Sequence, residues 1–117
     1  VQPYSKGFLL SEVELGKGVV DLKEAVSICQ KHNPAIRFSL EMITRDPLEI
    51  PCMEDSYWTT FGDYSGKNLA RTLRLVRDHG YEGMLPHVRD LSPEERLALE
   101  EYHVLQCLNY SQKELLP

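Results

Sequence analysis

The clearest strand signal lies in residues 36–43, which read IRFSLEMI. Its even-numbered residues are all apolar and would share one face, because successive side chains of a strand point to opposite sides. The other face is mixed and carries Glu41 near the C-terminal end. The pattern predicts a strand. A half-buried antiparallel strand fits it, and so does a barrel strand with helices on its apolar face and a site on the other.

Three helices are predicted around this strand. Asp21 with Glu24 three residues later is a helix-start signature, and Asn33, which precedes a proline, ends that helix. A second helix is expected over residues 67–79, followed by a glycine. A third is expected over residues 92–108, which open with SPEE, a sequence that supplies an N-cap serine, a proline at the first helical position and a glutamate at the third.

The order of these elements decides the predicted fold class. Residues 8–15 read as a short strand or an extended loop, and residues 44–66 show no period and read as a long loop. Strands that alternate with helices favour a parallel βαβ organisation over a sandwich or a helix bundle. Two strands alone do not make a stable parallel sheet, so the prediction implies further strands beside them.

Composition narrows the classes of function. The chain has 117 residues, of which 42% are hydrophobic and 26% charged, so a disordered tail is excluded. Its net charge of −5 disfavours binding to nucleic acid or to an anionic membrane, and we expect neither partner. No apolar run approaches the roughly 20 residues of a membrane span. The chain begins with Val1 and shows no leader, so it is expected to be processed or a piece of a longer protein.

Cysteine usage bears on the compartment. The three cysteines, Cys29, Cys52 and Cys107, are widely spaced, and no CxxC occurs. A disulfide framework and a four-ligand zinc site are therefore not expected, and a reduced, cytoplasmic setting is favoured. Each cysteine is expected to fill space in the core rather than to react.

Three residues are candidates for chemistry. Glu41 sits where barrels and doubly wound sheets bind ligands, and a carboxylate there can hold a hard divalent metal or act as a general base. The alternative is a solvent-facing glutamate. Arg45 can reach an anionic or polyhydroxylated ligand, or it can form a surface pair with Asp46 or Glu49. Trp58 can cap a substrate pocket or anchor its loop.

Two weaker motifs point elsewhere. Gly16 and Gly18 precede a capped helix and resemble a phosphate cradle, but the GxGxxG pattern is absent. His103 and Cys107 lie four residues apart on the last helix, with Glu100 three residues before the histidine, so they share a helix face that could hold a metal. An isolated pair of this kind is poor evidence for a metal site.

Four segments together resemble one known family. Residues 13–22 (VELGKGVVDL) are similar to a loop-and-helix segment of the sugar phosphate isomerase/epimerase family, whose members are xylose-isomerase-like TIM barrels. Residues 37–41 (RFSLE) resemble the last barrel strand of that family, and residues 40–48 (LEMITRDPL) resemble a continuation found in a subgroup. The helix that opens with SPEE resembles the terminal helix, and the likeness covers roughly residues 10–110.

This resemblance implies a fold and an activity. It implies that residues 1–117 form a single region, the C-terminal segment of a (β/α)8 TIM barrel with its last strand and flanking helices. The parent barrel would be a metal-dependent isomerase or epimerase of a sugar or sugar phosphate, acting by enediolate-type proton transfer. Glu41 would be both a ligand of Mn²⁺, Mg²⁺ or Co²⁺ and a catalytic base, and Arg45 and Trp58 would contact the substrate.

The other metal ligands of the family come from earlier strands, which this chain lacks. The isolated chain is therefore expected to be inactive unless the rest of a barrel or a homo-oligomer complements it, because a metal site needs several ligands in fixed geometry. Two alternatives remain: a small non-catalytic α/β interaction module, and a lyase or decarboxylase of the same barrel superfamily.

Overall fold

A computed structural model describes residues 1–116 of the chain. The described residues fall into two compact units. The first unit comprises Val1–Ser11 and Pro47–Leu85, and the second comprises Glu12–Asp46 and the described residues from Pro86 onward. Each unit is therefore built from two separate stretches of the sequence.

The first unit contains a three-stranded antiparallel sheet in the order β1-β2-β3. Its strands are β1 (Gln2–Tyr4), β2 (Gly7–Leu10) and β3 (Leu48–Ile50). Phe8 lies opposite Pro3 in β1 and opposite Ile50 in β3, so the central strand is paired on both edges. A short 3-10 helix (Asp55–Trp58) and the helix α2 (Gly66–Asp78) complete the unit.

Gly7 is required at the start of β2. Its φ of +152° is one that residues with a side chain rarely adopt. A Cβ at this position would lie 2.9 Å from the backbone nitrogen of Cys52 and still closer to the carbonyl oxygen of Ile50. The sheet therefore closes on the segment that follows β3 only because position 7 has no side chain.

The core of the first unit is small. Cys52, Val76 and Leu85 are its buried apolar side chains. The carbonyl oxygen of Val1 accepts a hydrogen bond of 2.7 Å from the amide of Tyr81, which ties the start of β1 to the segment after α2. The predicted second helix is confirmed within a residue at each end.

The second unit contains two helices whose ends follow the sequence signals. Asp21 accepts a hydrogen bond of 2.9 Å from the amide of Glu24 and caps α1 (Leu22–His32). Ser92 and Glu95 form a reciprocal capping box at the start of α3 (Pro93–Tyr110), which is followed by a π-helical turn (Ser111–Leu115). The predicted starts of both helices are confirmed.

Packing in the second unit places small and polar groups inside. Cys107 on α3 is fully buried, and its sulfur accepts the amide proton of Leu15 at 3.4 Å. Gly16 has a φ of +85°, and a Cβ there would clash with the ring of Tyr110. The glycine thus serves the turn and the close approach of a ring, and no ligand is needed to explain it. The predicted core role of cysteine is confirmed for Cys52 and Cys107.

Two of the sequence predictions are wrong. Residues 36–43 form no strand and have no regular secondary structure. The sheet among the described residues is antiparallel and local, so the predicted parallel βαβ organisation is not found there. The alternating pattern indicates which side chains a strand would bury. A strand also needs a neighbouring strand that forms hydrogen bonds with its N–H and C=O groups. Membership of a TIM barrel stays a prediction.

The predicted loop over residues 44–66 is in part structured, because it contains β3 and the 3-10 helix. None of the helices within residues 1–116 combines the length and the apolar character that crossing a bilayer requires.

Replacing Gly7 with Ala should lower the free energy of unfolding of the first unit by about 2 kcal/mol or more, because the new methyl group meets backbone atoms in a strained conformation. Trp58, the only tryptophan in the chain, allows this to be followed by fluorescence during urea unfolding. Gly62→Ala is the matched control, since a Cβ there would have no atom within 4 Å. Equal stability of the two variants would contradict the role given to Gly7.

Candidate functional site

Glu41 lies at a cavity in the second unit. The cavity has a volume of about 560 Å³, and the segment 38–41 forms one wall. The Glu41 side chain is exposed, and no hydrogen bond or ion pair engages its carboxylate within residues 1–116. The carboxylate is thus available to a ligand.

The remaining walls of this cavity are mainly apolar. Apolar side chains come from α1, from α3, from the turn that follows α3 and from single residues before α1 and after that turn: Leu22, Val26, Leu108, Leu115, Leu15 and Leu116. Ser39, Ser111 and Gln112 add a few polar groups. An apolar hollow with a few convergent polar groups is the usual character of a small-molecule site.

A salt bridge holds two elements of this unit together beside the cavity. The ammonium of Lys23, on α1, forms an ion pair with the carboxylate of Glu114, in the turn after α3. The pair lowers the pKa of Glu114 and raises the pKa of Lys23, in each case chiefly through their mutual hydrogen bond. Both side chains are about half exposed, so the pair positions the turn more than it stabilises the unit.

A buried polar cluster lies elsewhere in the second unit. Glu14 and His103 are its two buried polar residues. Glu14 accepts a hydrogen bond of 2.9 Å from Lys17, and the Nδ1 atom of His103 lies 2.8 Å from the hydroxyl of Thr44. Both groups therefore have the partners that buried polar groups need.

Opposing effects set the charge state of Glu14. Burial by itself would raise the pKa of this carboxyl. The hydrogen bond from Lys17, the hydrogen bond from its own backbone amide and the electrostatic influence of Lys17 and, to a smaller extent, His103 outweigh burial, so the pKa is lowered. Glu14 is consequently a carboxylate at neutral pH and has a structural partner there.

Arg45 forms a surface ion pair with a residue that the sequence did not suggest. Its guanidinium lies 3.1 Å from the carboxylate of Glu12. The expected alternative pairs, with Asp46 or Glu49, are not formed among the described residues. Both partners are more than a third exposed, so the pair contributes little to stability and can open at small cost.

Asp46 instead organises the connector that precedes α3. One of its carboxylate oxygens accepts a hydrogen bond of 2.7 Å from the amide of Val88. The guanidinium of Arg89 lies 3.6 Å from the other oxygen, and Nδ1 of His87 lies 3.9 Å from the oxygen that accepts the Val88 amide. The bond from the Val88 amide is the main cause that lowers the pKa of Asp46, and Arg89 and His87 add to it.

Trp58 belongs to the first unit, where it packs among aromatic rings. Its indole nitrogen donates a hydrogen bond of 3.0 Å to the carbonyl of Cys52. The ring centroids of Tyr57 and Phe61 lie 5.1 and 5.3 Å from its own. These contacts support the expectation that Trp58 anchors its loop.

The structure does not assemble a complete metal site. Within residues 1–116, no group of three or more His, Cys, Asp or Glu side chains is placed to hold a metal ion. His103 and Cys107 are both buried, and the thiol is engaged with the amide of Leu15, while Glu100 is exposed. In the described part of the chain, Glu41 therefore stands without a second ligand for a metal ion.

Sequence reasoning missed Glu14, Thr44 and Asp46 as partners within this unit. For His103 the sequence did contain a weak signal, since this residue shares a helix face with Cys107. No local pattern links Thr44 to His103 or Asp46 to Val88, because those partners are 59 and 42 residues apart.

No protein-family model, curated protein or solved structure matches this chain. Candidate roles for its residues therefore come from their chemistry and geometry and from the sequence resemblance.

Asp46→Asn should remove a stabilisation that depends on pH. Because the pKa of Asp46 is lowered in the folded chain, its carboxylate stabilises fully above the unfolded value of 3.8 and loses this effect as pH falls through the folded value. The variant should therefore be less stable than the wild type at about pH 7, and the difference should shrink as pH falls below 3.8 and through the lowered value in the folded chain. Urea unfolding followed by circular dichroism measures this.

Asp63→Asn is the control for that experiment, because Asp63 makes no hydrogen bond or ion pair within residues 1–116. A difference between Asp46→Asn and the wild type that persists unchanged in acid would show that the charge of Asp46 is not what stabilises the connector.

Proposed function

We propose that this chain is the C-terminal part of a xylose-isomerase-like TIM barrel that isomerises or epimerises a sugar or sugar phosphate. One observation carries the proposal: the carboxylate of Glu41 is exposed at a cavity of about 560 Å³ and is engaged by no group within residues 1–116. The sequence resemblance adds the reaction class. The compartment that goes with the proposal is the cytoplasm.

Glu41 fits one position in the coordination of a divalent cation. Carboxylate oxygens are the ligands that Mg²⁺ and Mn²⁺ prefer. The described residues supply no second or third ligand, so the full set does not fit and the others would have to come from outside this chain. A bound cation would polarise the carbonyl and hydroxyl groups of a sugar.

The exposure of Glu41 supports its proposed role in proton transfer. A carboxylate that no neighbour engages is free to take a proton from the carbon next to a carbonyl group and to return it to the neighbouring carbon, whereas return to the opposite face needs a second acid that would come from outside this chain. The first outcome is isomerisation and the second is epimerisation. Both leave the composition of the sugar unchanged.

Arg45 and Trp58 are the proposed substrate contacts, and the structure limits how each can act. Arg45 must leave its exposed pair with Glu12 before it meets an anionic or hydroxylated group, which costs little at the surface. Trp58 has its indole N–H engaged with the carbonyl of Cys52, so it would meet a substrate through its ring rather than through that N–H.

Glu41→Gln should lower the rate of sugar proton exchange by about 100-fold or more, because the amide cannot accept the proton. The measurement uses the full-length gene product that contains these residues, incubated with Mn²⁺ and a panel of aldoses, ketoses and their phosphates in deuterated water. Nuclear magnetic resonance then reports deuterium in the sugar and the isomers formed.

Glu101→Gln is the matched control, since Glu101 is an exposed glutamate on α3, and its rate should stay at the wild-type value. A wild-type rate in Glu41→Gln would remove Glu41 from the mechanism. Cleavage products would indicate the lyase or decarboxylase alternative, and the absence of any exchange would favour a non-catalytic interaction module.

A further inference from the structure

The backbone of residues 37–43 is unpaired in the described chain. Ile36 donates its amide proton to Asn33, but no backbone hydrogen bond is formed within residues 1–116 by any of the seven residues that follow. The segment is also exposed on its surface, with Phe38 42% and Ile43 51% accessible. A run of free N–H and C=O groups with apolar side chains is a template for pairing with another strand.

The residues of this segment suit a strand. They contain neither proline nor glycine, which would weaken pairing, and they alternate apolar with polar or charged side chains up to Met42. One positive charge, Arg37, and one negative charge, Glu41, lie symmetrically on either side of Ser39. The segment therefore has no net charge, but its positive charge lies toward the N-terminal end and its negative charge toward the C-terminal end. Parallel and antiparallel pairing are for this reason not equivalent.

We infer that two copies of this chain associate through residues 36–43, which pair as antiparallel strands about a two-fold axis at Ser39. In that register Arg37 of each copy lies opposite Glu41 of the other, and Phe38 lies opposite Leu40. Opposite charges and apolar pairs directly across two strands stabilise a sheet. Because the interface is two-fold, each of these favourable pairs occurs twice.

The two charges select this register over its competitors. Parallel pairing in register would place Arg37 beside Arg37 and Glu41 beside Glu41, which is destabilising. A slip by two residues in the antiparallel arrangement would move Arg37 opposite Ser39 or Ile43 and lose both ion pairs. A slip by one residue would put apolar side chains opposite polar ones.

Association also supplies what the single chain lacks. The strand that the sequence predicts over residues 36–43 is missing because its backbone has no neighbour, and a second copy provides one. The inference does not rest on the proposed function and competes with it for this segment, because a closed barrel would pair residues 37–41 on both edges with its own strands. A dimer with this register would therefore favour the interaction-module alternative.

Charge reversal tests the register. Sedimentation equilibrium of the 117-residue chain should show a dimer that dissociates on dilution. Arg37→Glu and Glu41→Arg should each weaken dimerisation by about tenfold or more, since each places like charges opposite one another twice. The double variant should return to within about threefold of the wild type, because it restores opposite charges.

Arg71→Glu and Glu101→Arg are the matched controls, as both residues are exposed and lie on helices away from the segment in sequence. Circular dichroism confirms that each variant is folded, which is expected because the segment makes no backbone hydrogen bond within its own chain.

Cysteine cross-linking tests the direction of pairing. In a Cys29→Ser background, an equimolar mixture of Arg37→Cys and Glu41→Cys should form a disulfide-linked heterodimer on mild oxidation. Each variant alone should stay uncrosslinked. A chain that is monomeric at all concentrations, an open-ended assembly, a double variant that does not recover, or cross-linking of Arg37→Cys alone would each overturn the inference.

Discussion

The hydrogen-bonding demand of extended backbone governs this structure. A strand persists only where a neighbour pairs with its N–H and C=O groups. The first unit meets that demand locally, because β1 and β2 form a hairpin and β3 adds to the free edge of β2. Residues 36–43 have the side-chain pattern of a strand but no neighbour within residues 1–116, and they remain irregular.

The helices meet the same demand within themselves, so their ends follow local signals. Asp21 caps α1 and Ser92 with Glu95 caps α3, each within three residues of the group it satisfies. Other requirements come from packing between segments that are far apart in the chain. Gly7 must lack a side chain so that β2 can approach Ile50, and Gly16 must lack one so that Tyr110 can approach.

The carboxylates of the second unit differ in burial and in partners, and this difference separates those with a structural role from the one that is available to a ligand. Glu14 is buried, and Lys17 and His103 hold it in its charged form, so its role is structural. Asp46 is engaged by the amides and side chain of the connector before α3. Glu41 is exposed at an apolar cavity and engaged by nothing among the described residues, which makes it the carboxylate available for a ligand or for a second chain.

The sequence by itself determined the three helices and the N-caps of α1 and α3, because each signal acts over three or four residues. It also identified Glu41 as the residue to examine, and its prediction that the cysteines fill the core is confirmed for Cys52 and Cys107 but not for Cys29, which is half-buried. Only the tertiary structure decided that the sheet is antiparallel, that Arg45 pairs with Glu12, and that Thr44 meets His103. These outcomes depend on contacts between segments far apart in the chain. Periodicity shows which face a segment would bury, and it does not show which neighbour will cover it.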